Sequence, residues 1–138
     1  MHINIEFLVV AYFISLFVDW IFQWDWQAVN KSKWNKSDNK IKSLFAVTTH
    51  SLIYATVMGF ILYLFPFKLI PSNMYDLVWY TLFISHMIID TRIPVKWIMR
   101  FKGMSKEQIN DTQTYGFMHI GIDHRLHEMV LLILAMFI

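Results

Sequence analysis

Residues 44–65 read LFAVTTHSLIYATVMGFILYLF, an unbroken stretch without Asp, Glu, Lys or Arg. A helix that crosses the hydrocarbon core of a bilayer needs about 20 predominantly apolar residues, so this run is long enough to span. Inside it sits His50, an ionisable side chain where hydrocarbon would disfavour one. Such groups turn inward, find partners and often mark function.

Similar apolar runs flank this one at residues 3–24, 75–90 and 116–138, of which 75–90 is the shortest. The expected fold is therefore all-α: a four-transmembrane-helix bundle forming one domain over residues 1–138. Composition agrees, with 57% hydrophobic, 17% aromatic and 16% charged residues against about 25% charged in soluble domains. The opening Met-His-Ile-Asn-Ile-Glu lacks the basic flank of a signal peptide, and the apolar run behind it is long. It is expected to be a retained helix.

The intervals carry the charge. Residues 25–43 include five lysines, and residues 91–115 include Arg92, Lys96, Arg100, Lys102 and Lys106. The positive-inside bias places both intervals in the cytoplasm and both termini outside, in a multi-pass protein of the inner (cytoplasmic) membrane. Within the second interval, basic residues alternate with Ile93, Val95, Trp97, Ile98, Met99 and Phe101, as in an amphipathic segment lying on a membrane surface. Trp20, Trp24, Trp26 and Trp34 crowd the cytoplasmic end of the first span and Trp79 the outer end of the third, as interfacial anchors do. Prolines 66 and 71 make the interval 66–73 a tight turn.

A net charge of +2, without a continuous basic face, argues against nucleic acid as a partner. The absence of cysteine removes thiolate catalysis and Cys-based zinc sites. Neither a Gly-rich phosphate loop nor an HExxH motif is present. Ser51 beside His50 and Ser85 beside His86 make poor nucleophile pairs, since helical neighbours point about 100° apart.

Each expected span contributes a polar group: Asp19 and Gln23, His50, His86 and Asp90, Asp123 and His127. Three of the four present an i, i+4 pair and so a polar stripe on one face. With a rise of about 1.5 Å per residue, Asp19, His50, the His86/Asp90 pair and Asp123 all fall within roughly 10 Å of the cytoplasmic ends of their helices. One converging pocket is expected.

Imidazole and carboxylate ligands one turn apart on facing helices suit divalent ions such as Zn, Mn or Fe. Asp19, His50, His86, Asp90, Asp123 and His127 are the candidate ligands for one or two such ions, with Asp19, Asp90 or Asp123 free to act as general base. Gln23, His119 and His124 are candidates for orienting those ligands, and Lys31, Arg92 and Arg125 for contacting phosphate. Bound metal would make hydrolysis feasible at neutral pH. A membrane lipid, or a lipid or phosphate ester at the cytoplasmic leaflet, is the natural substrate, and an oligomer is compatible with this arrangement. Two other readings use the same sequence: a proton or ion transporter relaying through the His/Asp cluster, and a non-catalytic protein that binds a partner through residues 94–104.

The ordered set Asp19-Trp20-Ile21-Phe22-Gln23-Trp24-Asp25-Trp26, Asn30-Lys31-Ser32-Lys33, His50, Ser85-His86-Met87-Ile88-Ile89-Asp90 and Asp123-His124-Arg125-Leu126-His127 resembles a family of small bacterial and phage membrane proteins of unknown function. It is more distantly similar to predicted membrane-bound metal-dependent hydrolases. The resemblance covers most of the chain and departs from the pattern at His124, where Gln would be expected. It implies a membrane fold and no particular reaction.

Overall fold

The computed structural model describes residues 3–31, 40–64 and 68–138. The described residues form helices without a strand: α1 (Ile5–Ile21), α2 (Asp25–Lys31), α3 (Lys40–Tyr63), a short 3-10 turn (Ser72–Met74), α4 (Tyr75–Asp90), α5 (Ile93–Phe101), α6 (Lys106–Asn110) and α7 (Gly116–Ala135). Trp34, Lys33 and Pro66, singled out in the sequence, lie outside the described residues.

The four longest helices close a ring. α1 packs on α3, α3 on α4, α4 on α7, and α7 returns to α1. The Asn4 side chain accepts from the Phe7 amide at 3.0 Å to start α1, and the Asn4 amide donates to the Ala135 carbonyl at 2.8 Å. That bond places the start of α1 beside the end of α7, so the two run antiparallel.

Sequence and structure differ at the boundaries. The first helix, expected to reach Trp24, stops at Ile21, and the chain turns by 99° into α2. The Gln27 side chain makes the turn hold: its oxygen accepts from the Trp24 amide at 3.1 Å and its nitrogen donates to Thr49 Oγ1 on α3 at 3.1 Å. Residues 25–43 are thus not simply a loop, since they contain α2 and the first residues of α3.

The basic segment between α4 and α7 folds as α5 and α6. Arg92 takes a left-handed φ of 59° that breaks the chain away from α4, and Pro94 sits in the first turn of α5, where its missing N–H costs nothing. Val95 and Met99, one turn apart, pack with Ile109 into a small second core. Trp97 and Phe101 stack on the opposite, exposed side. A capping box between Ser105 and Gln108 starts α6. In the turn before α7, hydrogen bonds from Thr114 hold the Asp111 carboxyl below its usual pKa.

Half of the ring is apolar inside. Phe7, Ala11, Met58, Leu62, Val78, Leu82, Leu134 and Ala135 fill it completely. Among the described residues, α3 is long and apolar enough to cross a membrane, and the bent α1–α2 pair is a second candidate span. α4, with 16 residues, extends about 24 Å against a hydrocarbon core of about 30 Å. α7 carries Asp123, Arg125 and Glu128 along its middle.

Candidate metal centre

The stripe that is apolar at one end of the ring turns polar at the other. On α4 the buried positions run Val78, Leu82, His86 and Asp90, each one turn beyond the last. On α3 the same face carries Met58, Ala55, Tyr54, Ser51, His50 and Val47. On α7 it carries Leu134, Leu131 and His127, with His119 two turns away at another level. A helix repeats its facing side chain every three to four residues, so each helix delivers its polar residues to one level without any bend.

His86 is the centre of this level, 1% exposed. Its Nε2 lies 3.5 Å from Asp90 Oδ2 and 3.7 Å from Asp19 Oδ1. His50 Nε2 lies 2.9 Å from Asp19 Oδ1, 3.5 Å from Asp90 Oδ2 and 3.5 Å from Gln23 Nε2. Two overlapping groups result, Asp19 with His50 and His86, and His86 with Asp90 and His127, each with ligand atoms mutually within 4.8 Å. Atoms bound about 2.1 Å from a common ion stand about 3.0 to 3.4 Å apart, and the observed separations bracket that spacing.

The ring nitrogens are oriented as ligands. His127 Nδ1–H donates to the Asp123 carbonyl at 2.9 Å, so its proton is spent there and the Nε2 lone pair is free. That Nε2 is buried and has no hydrogen-bond partner among the described residues, and the same holds for both ring nitrogens of His86 and for Nδ1 of His50. Orphaned buried nitrogens are costly, and a metal ion at the level of Asp19 and Asp90 would satisfy His86 Nε2 and His127 Nε2. The donor set therefore fits a divalent ion.

Tyr54 and Ser15 complete the pocket, and neither was singled out in the sequence. The Tyr54 ring stacks on His86 with centroids 3.8 Å apart, and its hydroxyl bonds Ser15 on α1 at 2.7 Å. The signal was present, because Tyr54 stands one turn from His50 on α3.

The remaining candidates separate. Asp123 stays outside both ligand groups, with Oδ1 buried and unbonded among the described residues. His119 is buried away from them, donating from Nε2 to the Ile109 carbonyl at 2.9 Å and so tying α7 to α6. His124 lines a cleft between α1 and α7. Arg92 serves the turn into α5, and Arg125, exposed, pairs with Glu128.

Lys31, a candidate phosphate contact in the sequence, is buried instead. Its Nζ lies 3.1 Å from each carboxylate oxygen of Asp90, brought there by the turn of α2 beneath α3. Ser43 donates to the Lys31 carbonyl at 3.2 Å and holds the end of α2 in place.

Comparison of the chain with protein-family profiles, with curated proteins and with solved structures returns no match.

Proposed function

We propose that the protein is a membrane-embedded, metal-dependent hydrolase acting on a lipid or phosphate ester at the cytoplasmic leaflet. The observation that carries the reading is the His86-centred cluster, where His86 and His127 ring nitrogens without hydrogen-bond partners among the described residues are buried in the groups that contain Asp19 and Asp90. His50, His86 and His127 with Asp19 and Asp90 would hold the metal. A neutral imidazole offers one lone pair, and His86 belongs to both groups, which favours a single ion unless a carboxylate bridges two. Bound there, Zn, Mn or Fe would polarise an ester oxygen and lower the pKa of water.

The chain's own residues supply the rest. Asp123, outside both ligand groups with a buried oxygen free of hydrogen bonds among the described residues, would accept a proton as general base. Gln23 steadies His50, and Tyr54 covers the His86 ring. Lys31 neutralises Asp90 and keeps its two oxygens in register.

Membrane embedding is supported by the outside of the ring. Phe13 and Phe17 on α1, Phe45 and Phe60 on α3, Tyr80 and Ile84 on α4, and Met129 and Ile133 on α7 all face outward, where a soluble bundle would carry charge. We read the four ring helices as the spans. Eight of the ten Lys and Arg among the described residues lie at the end that holds the cluster, the cytoplasmic one under the positive-inside bias. A transporter would need a polar path onward, whereas Phe7, Met58, Leu62 and Leu82 fill the other half.

The test is elemental analysis of detergent-purified protein together with hydrolysis of a fluorogenic phosphate ester. One equivalent of a transition metal is expected, lost in His86→Ala and Asp90→Ala along with activity. Metal-free protein whose properties do not change in those variants would sink the proposal.

A further inference from the structure

Between α1 and α7 the ring is not sealed. A cavity of about 310 Å³ reaches from Asp19 and His127 along Tyr12, Leu16 and Leu131. A second, of about 570 Å³, shares Tyr12, Glu128 and Leu131 with it and continues past Phe13 and Leu132 to Leu8. Together they make one groove with a polar head at the ligand cluster and an apolar body.

We infer that this groove binds a single phospholipid, its phosphate at the level of Arg125 and one acyl chain laid along the α1/α7 seam. The inference rests on the hydrolase reading for the meaning of the polar end and adds the class of substrate. Length supports it: Asp19 and Leu8 are eleven residues apart on α1, about 16 Å of helix, against about 15 Å for one leaflet of the hydrocarbon core. Access supports it too. Phe13, Phe17 and Met129 on the rim are exposed to the side, so a chain could slide in from the bilayer without crossing water. Charge supports the head position, because Arg125 lines the second cavity and has N–H donors beyond the one bonded to Glu128. An amphipathic lining of this length matches an amphipathic ligand better than a soluble phosphate ester, which would leave the apolar body unused.

The experiment uses the full chain in phosphatidylcholine nanodiscs containing a small fraction of phosphatidylglycerol with a diazirine in one acyl chain. After illumination, adducts are expected to concentrate on Leu8, Tyr12 and Leu132, at least fivefold above Phe60 and Ile84 on the other outward faces. Leu16→Trp and Leu132→Trp, both at partly exposed lining positions, should each cut the groove adducts severalfold while metal content stays at the wild-type level. Even labelling around the ring would overturn the inference, as would a seam free of adducts. Groove adducts that persist while His86→Ala changes neither metal content nor activity would overturn the hydrolase reading alone.

Discussion

Lys31 decides how the cluster is charged. An ammonium that is 3.1 Å from both oxygens of a carboxylate 1% exposed is held inside the protein, where removing one partner leaves an uncompensated charge worth about 3–5 kcal/mol. Lys31→Met should therefore lower the unfolding temperature of detergent-purified protein markedly. Because Asp90 is then free to take a divalent ion more completely, added Zn²⁺ or Mn²⁺ should raise the melting temperature of the variant by more than that of the wild type, as binding to the folded state alone requires. An equal response in both proteins would disconnect Lys31 from the ligand set. His127 offers the complementary case. Its bond to the Asp123 carbonyl is a backbone contact one turn back, so Asp123→Asn leaves the imidazole tautomer intact and should abolish activity while metal content is kept.

At the level of the elements, the short helices matter as much as the long ones. α2 exists to carry Lys31 under α3, and Gln27 is what bends the chain there, through one bond to Trp24 and one to Thr49. Gln27→Ala should cost about 1–2 kcal/mol and speed amide exchange over Asp25–Lys31, with exchange in α3 and α4 unchanged. The break between α4 and α5 depends on Arg92 at φ 59°. A left-handed conformation costs an L-residue about 1 kcal/mol that glycine does not lose, so Arg92→Gly should leave stability equal or slightly higher despite the more flexible unfolded chain. A large loss would mean that the guanidinium, not the turn, is what the position requires.

At the scale of the molecule, four helices in an antiparallel ring leave one end apolar and the other polar, and eight of the ten basic residues among those described gather at the polar end. The chain has no cysteine, so single cysteines can report topology cleanly. In inside-out vesicles, Lys102→Cys is expected to react with a membrane-impermeant maleimide and Lys68→Cys is expected to be protected, with the reverse in intact cells. Identical labelling of both positions in either preparation would refute the proposed orientation.

The ordering of polar residues along the chain was enough to place Asp19, His50, His86 and Asp90 at one level, because helical rise and periodicity are local properties that survive whatever the neighbours do. Apolar runs likewise announced the long helices and the amphipathic α5. Three things were outside the reach of local pattern. The 99° turn after Ile21 depends on Gln27 finding Thr49 on another helix. Lys31 looked like its neighbouring lysines until α2 carried it to Asp90, and Asp123 looked equivalent to His127 until the packing of α7 left it outside both ligand groups. Which side chains share a helix face is written in the spacing of one chain segment, whereas which faces meet, and what charge lies between them, depends on contacts between segments distant in sequence, and these form only when the whole ring closes.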